Sequence, residues 1–210
     1  MTHACFICDN PRLQRELPQL ILLNKRTCNQ PVFAQIVRAS PPNVYVKQVK
    51  SAWMTEEIMC VLIRLLHAHL QDVWDDYEVV LFLDAHGSHI HHNTCVQCNR
   101  FHIDLIIIPA RLTWLLQPCD THVFSLYKRY MRRLWNETAD LTQNGEIDLL
   151  QFFHILYQTI QDIVLNRDWS CAFTANAFHS GVAHLSAYLM KKFKFGENKP
   201  VISFDIPTIQ

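Results

Sequence analysis

Glycine is scarce in this chain of 210 residues, with four against nine prolines, and that scarcity excludes collagen-like, linker-like and low-complexity sequences. Neither sign of charge is in excess. Nineteen Lys and Arg stand against nineteen Asp and Glu, so no global field draws the molecule to nucleic acid or to an acidic membrane, and any polyanion contact must be local. No basic start followed by an apolar stretch opens the chain, and the apolar run from Ile103 to Pro109 is broken by Asp104. Secretion and membrane spanning are therefore disfavoured. What is present is half hydrophobic and 18% charged, a composition that folds. At this length one core buries roughly 70% of the surface of the unfolded chain, which favours a single domain over two. The eight cysteines are scattered through a core large enough to do without staples, which points to a reducing compartment.

Along the chain, strand-like segments at His3–Cys8, Gln19–Leu23, Val32–Val37 and Val44–Val49 alternate with Asn10-Pro11, Asn29-Gln30-Pro31 and Pro41-Pro42-Asn43 breakers and read as a meander. Thr55 is a candidate N-cap before Glu56 and Glu57, and the stripe Ile58, Met59, Leu62, Leu65, Leu66 and Leu70 predicts an amphipathic helix. Val79–Leu83 and Ile103–Ile108 are apolar without alternation, the pattern of interior strands covered by helices. Helical periodicity then runs over His122–Asn136, Ile147–Leu165, Trp169–Phe178 and Gly181–Phe193, with no internal repeat or long linker. The expected fold is α/β with a helical C-terminal third.

Two carboxylates stand out. Asp84 follows a buried strand directly, where a rigid strand end presents a side chain at the sheet's edge and ligand crevices form. Asp120, in Gln117-Pro118-Cys119-Asp120, sits just ahead of a helix, where an extended segment can aim it back toward the neighbouring strand end. Two carboxylates so placed can share a hard divalent cation, which also leans on water and phosphate oxygens. The plainer alternatives are that Asp120 caps a helix and that Asp84 starts a turn.

Leu83-Asp84-Ala85-His86-Gly87-Ser88-His89 resembles the Leu-Asp-Asn-His-x-Ser-His signature of the DDE superfamily endonuclease domain of pogo/Tigger-like transposases and their domesticated relatives, such as centromere protein B and jerky-like proteins. Ile106 to Asp120 is similar to that family's segment ending in Gln-Pro-Leu-Asp, and Val123-Phe124 with Tyr127-Lys128-Arg129-Tyr130 is similar to the helix that follows it. Ala52-Trp53-Met54-Thr55 and Trp169-Ser170-Cys171-Ala172-Phe173 are weaker matches. The resemblance implies an RNase H-like mixed sheet flanked by helices, with residues 1–136 as the core and 137–210 as a helical extension of the same domain. It implies Asp84 and Asp120, with 35 residues between them, as catalytic and metal-binding carboxylates for Mg²⁺ or Mn²⁺. His86, Ser88, His89 and Gln117 would lie beside them. It further implies DNA as substrate, a nuclear location, homo-oligomers, and a separate helix-turn-helix module upstream, which is not evident in this sequence. Ala85, Trp114 and Cys119 replace the family's usual Asn, His and Leu. The family's first acidic residue lies on a first strand upstream of the one that His3–Cys8 matches, so the chain is expected to be an N-terminally truncated copy, with inactivity as the alternative to cleavage. Asp9, before Asn10-Pro11, reads as a turn residue.

Other constellations compete. His89, His92, Cys95 and Cys98 recur every three residues, a spacing that a helix turns toward one face and that zinc accepts, which would make a zinc-stabilised interaction domain. Cys5 and Cys8 would point to opposite faces of a strand. Ser88-His89 has no elbow motif for nucleophilic catalysis. Lys128, Arg129, Arg132 and Arg133 form a basic helix face interleaved with Tyr127, Tyr130 and Trp135, suited to DNA phosphates, although such faces are often only solvated. Lys191, Lys192, Lys194 and Lys199 read as a solvated helix end. A non-catalytic DNA-binding or scaffold protein is the alternative to the nuclease.

Overall fold

The computed structural model describes residues 1–142 and 144–178; the expected helix over Gly181–Phe193 and the lysines after it lie outside them. Three strands, β1 (Thr2–Ala4), β2 (Gln19–Asn24) and β3 (Val44–Val49), form one sheet in that order, and β4 (Val79–Asp84) pairs with β5 (Ile103–Ile108) in a second. β1 runs antiparallel to β2, whereas β2–β3 and β4–β5 are parallel. Among the described residues no ladder joins the two sheets, so β1 and β4 each keep one edge outside any pairing. The layout is the expected α/β one, small sheets flanked by helices.

The expected meander is not what forms. Val32–Val37 lies inside helix α2 (Gln30–Arg38), which follows α1 (Pro11–Gln14) in chain order. The Asn29 side chain accepts the Val32 amide at 3.0 Å, and Pro31 sits in the first turn, where its missing N–H costs nothing. A helix here is also what the sheet requires, because β2 and β3 are parallel and parallel neighbours need a crossover. The first strand is shorter than expected as well. Beyond Ala4 the backbone of Phe6 and Cys8 is held by side chains: Gln19 accepts the Phe6 amide at 3.2 Å and donates to its carbonyl at 3.0 Å, and Gln14 accepts the Cys8 amide at 2.7 Å.

Helix α3 (Glu56–His69) begins as expected, with the Thr55 hydroxyl accepting the Ile58 amide and Glu56 and Glu57 in the first turn, where the helix dipole favours them. Its Ile58, Met59, Leu62, Ile63 and Leu66 pack with Leu20 and Leu22 of β2, and with Leu81 and Ile103, beneath α4 (His92–Arg100). Alternate residues of β2, Ile21 and Leu23, enter a second core with Ile36 of α2, Phe153, Leu156 and Tyr157 of α7 (Leu149–Thr159), and the π-helical turn Ile160–Leu165. A capping box between Asp148 and Gln151 starts α7. β4 and β5 are not interior strands on both faces, contrary to expectation: Val79, Leu81 and Leu83 pack toward α3, while Val80 and Ile106 on the other face stay 42% and 45% exposed. No helix among the described residues is long and apolar enough to cross a membrane.

Candidate functional site

Asp84 ends β4, in register with Ile108 at the end of β5. Its half-buried carboxylate is oriented by its own turn: Oδ1 accepts the His86 amide at 3.2 Å and His89 Nδ1 at 2.6 Å. An ionised carboxylate only accepts, so Nδ1 of His89 carries the proton of this bond. Oδ2 has no protein partner among the described residues. In the same turn, His86 Nδ1 lies 2.8 Å from the hydroxyl and 3.4 Å from the amide of buried Ser88, both of them donors. A neutral His86 ring therefore carries its hydrogen on Nε2, on an exposed side chain. Ser88 is committed to this turn, its carbonyl accepting the Thr94 hydroxyl at 2.7 Å.

From Ile108 the chain turns through Arg111, a non-glycine residue at φ 70°, into α5 (Thr113–Leu116) and then the π-helical turn Cys119–Val123. Asp120 lies in that turn. Its amide donates to the Gln117 carbonyl at 3.0 Å, its side chain caps no helix, and its exposed carboxylate has no protein partner among the described residues. The helix-cap alternative is thereby removed. Gln117 is folded inward, with its side-chain oxygen buried and lacking a donor among the described residues.

Both carboxylate segments meet the chain just past α8 (Ser170–Ala175), a stretch the sequence placed in the helical third without a role at the site. Phe82 shares a face of β4 with Asp84 by strand alternation, and its ring lies 4.1 Å from that of Phe178. Asn176, just past α8, donates to the Leu115 carbonyl, and its Oδ1 lies 3.0 Å from the hydroxyl of Thr121, the residue after Asp120. The only signal for this clamp was a polar Asn in an apolar segment. His122, also in the turn, is held below the ordinary histidine range by burial.

Helix α6 (Phe124–Asp140) follows at once. It buries Leu134 and packs Phe124, Tyr127, Tyr130 and Met131 on the second core, leaving Lys128, Arg129, Arg132 and Arg133 exposed. Arg133 is partly engaged, at 3.5 Å from Glu137 and over the Tyr130 ring. Lys128, Arg129 and Arg132 have no carboxylate partner among the described residues. Lys128 follows Asp120 by eight residues, through the π-helical turn and into the first turns of α6.

The zinc alternative fails on geometry. His89 is spent on Asp84, Cys98 is fully buried in the first core, and among the described residues no group of three or more His, Cys, Asp or Glu is arranged to hold an ion. Asp9 sits in the bend before Asn10, which caps α1. All eight cysteines are free, including Cys5, whose carbonyl lies 3.9 Å from the Cys119 sulfur. For a hard cation the chemistry of the two carboxylates is right: oxygen donors, one free oxygen on Asp84 and an unengaged Asp120.

No curated protein and no solved structure matches this chain. The family model described as DDE superfamily endonuclease matches residues 2–178. That stretch runs from β1 past α8 and contains the Asp84 turn, the Asp120 turn and the basic helix, and the chain belongs to this family.

Proposed function

We propose that this domain, of a family that suggests a transposase-derived nuclease, acts on DNA in the nucleus, holding Mg²⁺ or Mn²⁺ between Asp84 and Asp120 for phosphodiester cleavage and strand transfer. The observation that carries the reading is the state of the two carboxylates: each keeps oxygen free, and both flank the contacts made by Asn176 and Phe178. A bound divalent ion supplies charge neutralisation on the phosphodiester and activation of the attacking oxygen. The chain's own residues supply the rest. His89 fixes Asp84 with Oδ2 outward, His86 offers an Nε2 hydrogen to a phosphate oxygen, and α6 binds flanking phosphates.

A second reading, a DNA-binding relative without cleavage, is favoured by one observation: no third acidic ligand joins the pair among the described residues. Nicking of supercoiled plasmid in Mn²⁺ separates the two. On the nuclease reading, Asp84→Asn and Asp120→Asn each lower nicking at least 100-fold with DNA binding retained, as loss of an essential ligand does. Binding without nicking by the unaltered chain supports the second reading and removes the first.

A further inference from the structure

On the α3–α4 side of the sheets, opposite the β4 face that carries Asp84, lies a cleft of about 770 Å³. Two helices build its walls with single faces: Glu57, Cys60, Val61 and Arg64 of α3, and Asn93, Val96, Gln97 and Arg100 of α4, each set at i, i+3, i+4 and i+7. The edge of β3 and the loops around it add Lys25, Lys47 and Lys50. In a chain of zero formal net charge, five cations line this cleft against one carboxylate, Glu57. None of the five has a carboxylate partner among the described residues.

Two further observations point to a ligand. Gln97 is 8% exposed; its Oε1 accepts from Arg64 at 3.2 Å, and its Nε2, a buried donor, has no partner among the described residues. Such an orphan is costly unless something else accepts from it. At the cleft's rim Trp53 is 72% exposed, a large flat ring left in water. A polyanion alone accounts for the cations and leaves the tryptophan without a purpose; an unpaired nucleotide segment uses both, because its phosphates track the positive groove while a base stacks on the ring. In duplex DNA the bases are already stacked.

We infer that this cleft binds single-stranded DNA, with Lys47, Lys50, Arg64 and Arg100 on the phosphates, Gln97 donating to an oxygen of the strand, and Trp53 as the stacking platform. The site goes beyond cleavage and does not depend on Asp84 or Asp120.

The test is a fluorescence titration of the full chain, in EDTA, with a labelled oligo(dT) of roughly twelve nucleotides, a duplex of equal length and a polyglutamate peptide. Expected is a preference for the single strand with tryptophan quenching. Trp53→Leu should weaken oligo(dT) about tenfold and abolish the quenching without altering duplex affinity. Arg64→Gln with Arg100→Gln should reduce the slope of log affinity against log salt by about 1.4, about 0.7 per phosphate contact. All three positions are exposed, and circular dichroism checks folding. Single-strand binding unchanged in these variants, no such binding at all, or equal affinity for polyglutamate would each overturn the inference. With EDTA present, none of these outcomes bears on nicking, which is scored separately in Mn²⁺.

Discussion

Single glutamines and a single histidine hold the N-terminal segment where a longer strand was expected. Gln14 is wholly buried and joins three distant points: it accepts the Cys8 amide and donates to the carbonyls of Val164 at 3.0 Å and Phe6 at 3.5 Å. Trp169 Nε1 still donates to the Val164 carbonyl and Gln19 to that of Phe6, so Gln14→Leu fills the same space but leaves the Cys8 amide without its acceptor, and urea unfolding should show a loss of about 1–3 kcal/mol. Gln19 does the same for Phe6 and also touches His3 Nε2 at 3.3 Å. Burial lowers His3 to about 4, outweighing that hydrogen bond. The folded state then binds fewer protons than the unfolded chain between about pH 4 and 6.5, so this contribution is intact above pH 6.5 and is lost as pH falls toward 4. Because His3 keeps some solvent contact, the loss should be about 2 kcal/mol. His3→Gln should flatten the stability–pH profile in that window while leaving the plateau above it in place.

Helix α2 shows where the sequence misleads and why. Val32, Phe33, Ile36 and Val37 suit either a strand between two breakers or one helix face, and a window this short does not separate periods of 2 and 3.6. Its start, Asn29 followed by Pro31, is both a turn signal and a helix start. Asn29→Ala should therefore cost about 1 kcal/mol in thermal or urea unfolding, a cap's usual worth; a negligible change would mean the cap does no such holding. The α3 start and the Asp84 turn were legible because each carries a local signal, a capping residue or an acid directly after an apolar run, whereas the segment at Asp120, expected to be extended, is a π-helical turn. The clamp through Asn176 and Phe178 was not legible, since it depends on contacts 55 to 96 residues apart in sequence. For α6, neutralising Lys128, Arg129 and Arg132 to Gln should reduce the salt slope of duplex binding by about 2.7, about 0.9 per phosphate. An unchanged slope would assign these side chains to solvent alone.

At the scale of the whole molecule, β2 is the element that everything else shares. Gln19–Leu23 is buried throughout, with Leu20 and Leu22 facing the α3 core and Ile21 and Leu23 facing the α7 core. Nothing can loosen one core while leaving the strand that lines the other intact, so the two should melt as one unit even though the sheets are not laddered together. Trp74 lies in the first core and Trp169 in the second, which allows each side to be followed separately. With every other tryptophan replaced by Phe, a Trp74-only and a Trp169-only protein should each show one urea transition whose midpoint coincides with that seen by circular dichroism. Leu22→Ala and Ile21→Ala, on opposite faces, should each cost about 2–5 kcal/mol, as deletions from packed cores do, and each should lower the midpoint reported by both tryptophans. If Leu22→Ala shifts only the Trp74 transition, the cores are independent and β2 does not couple them.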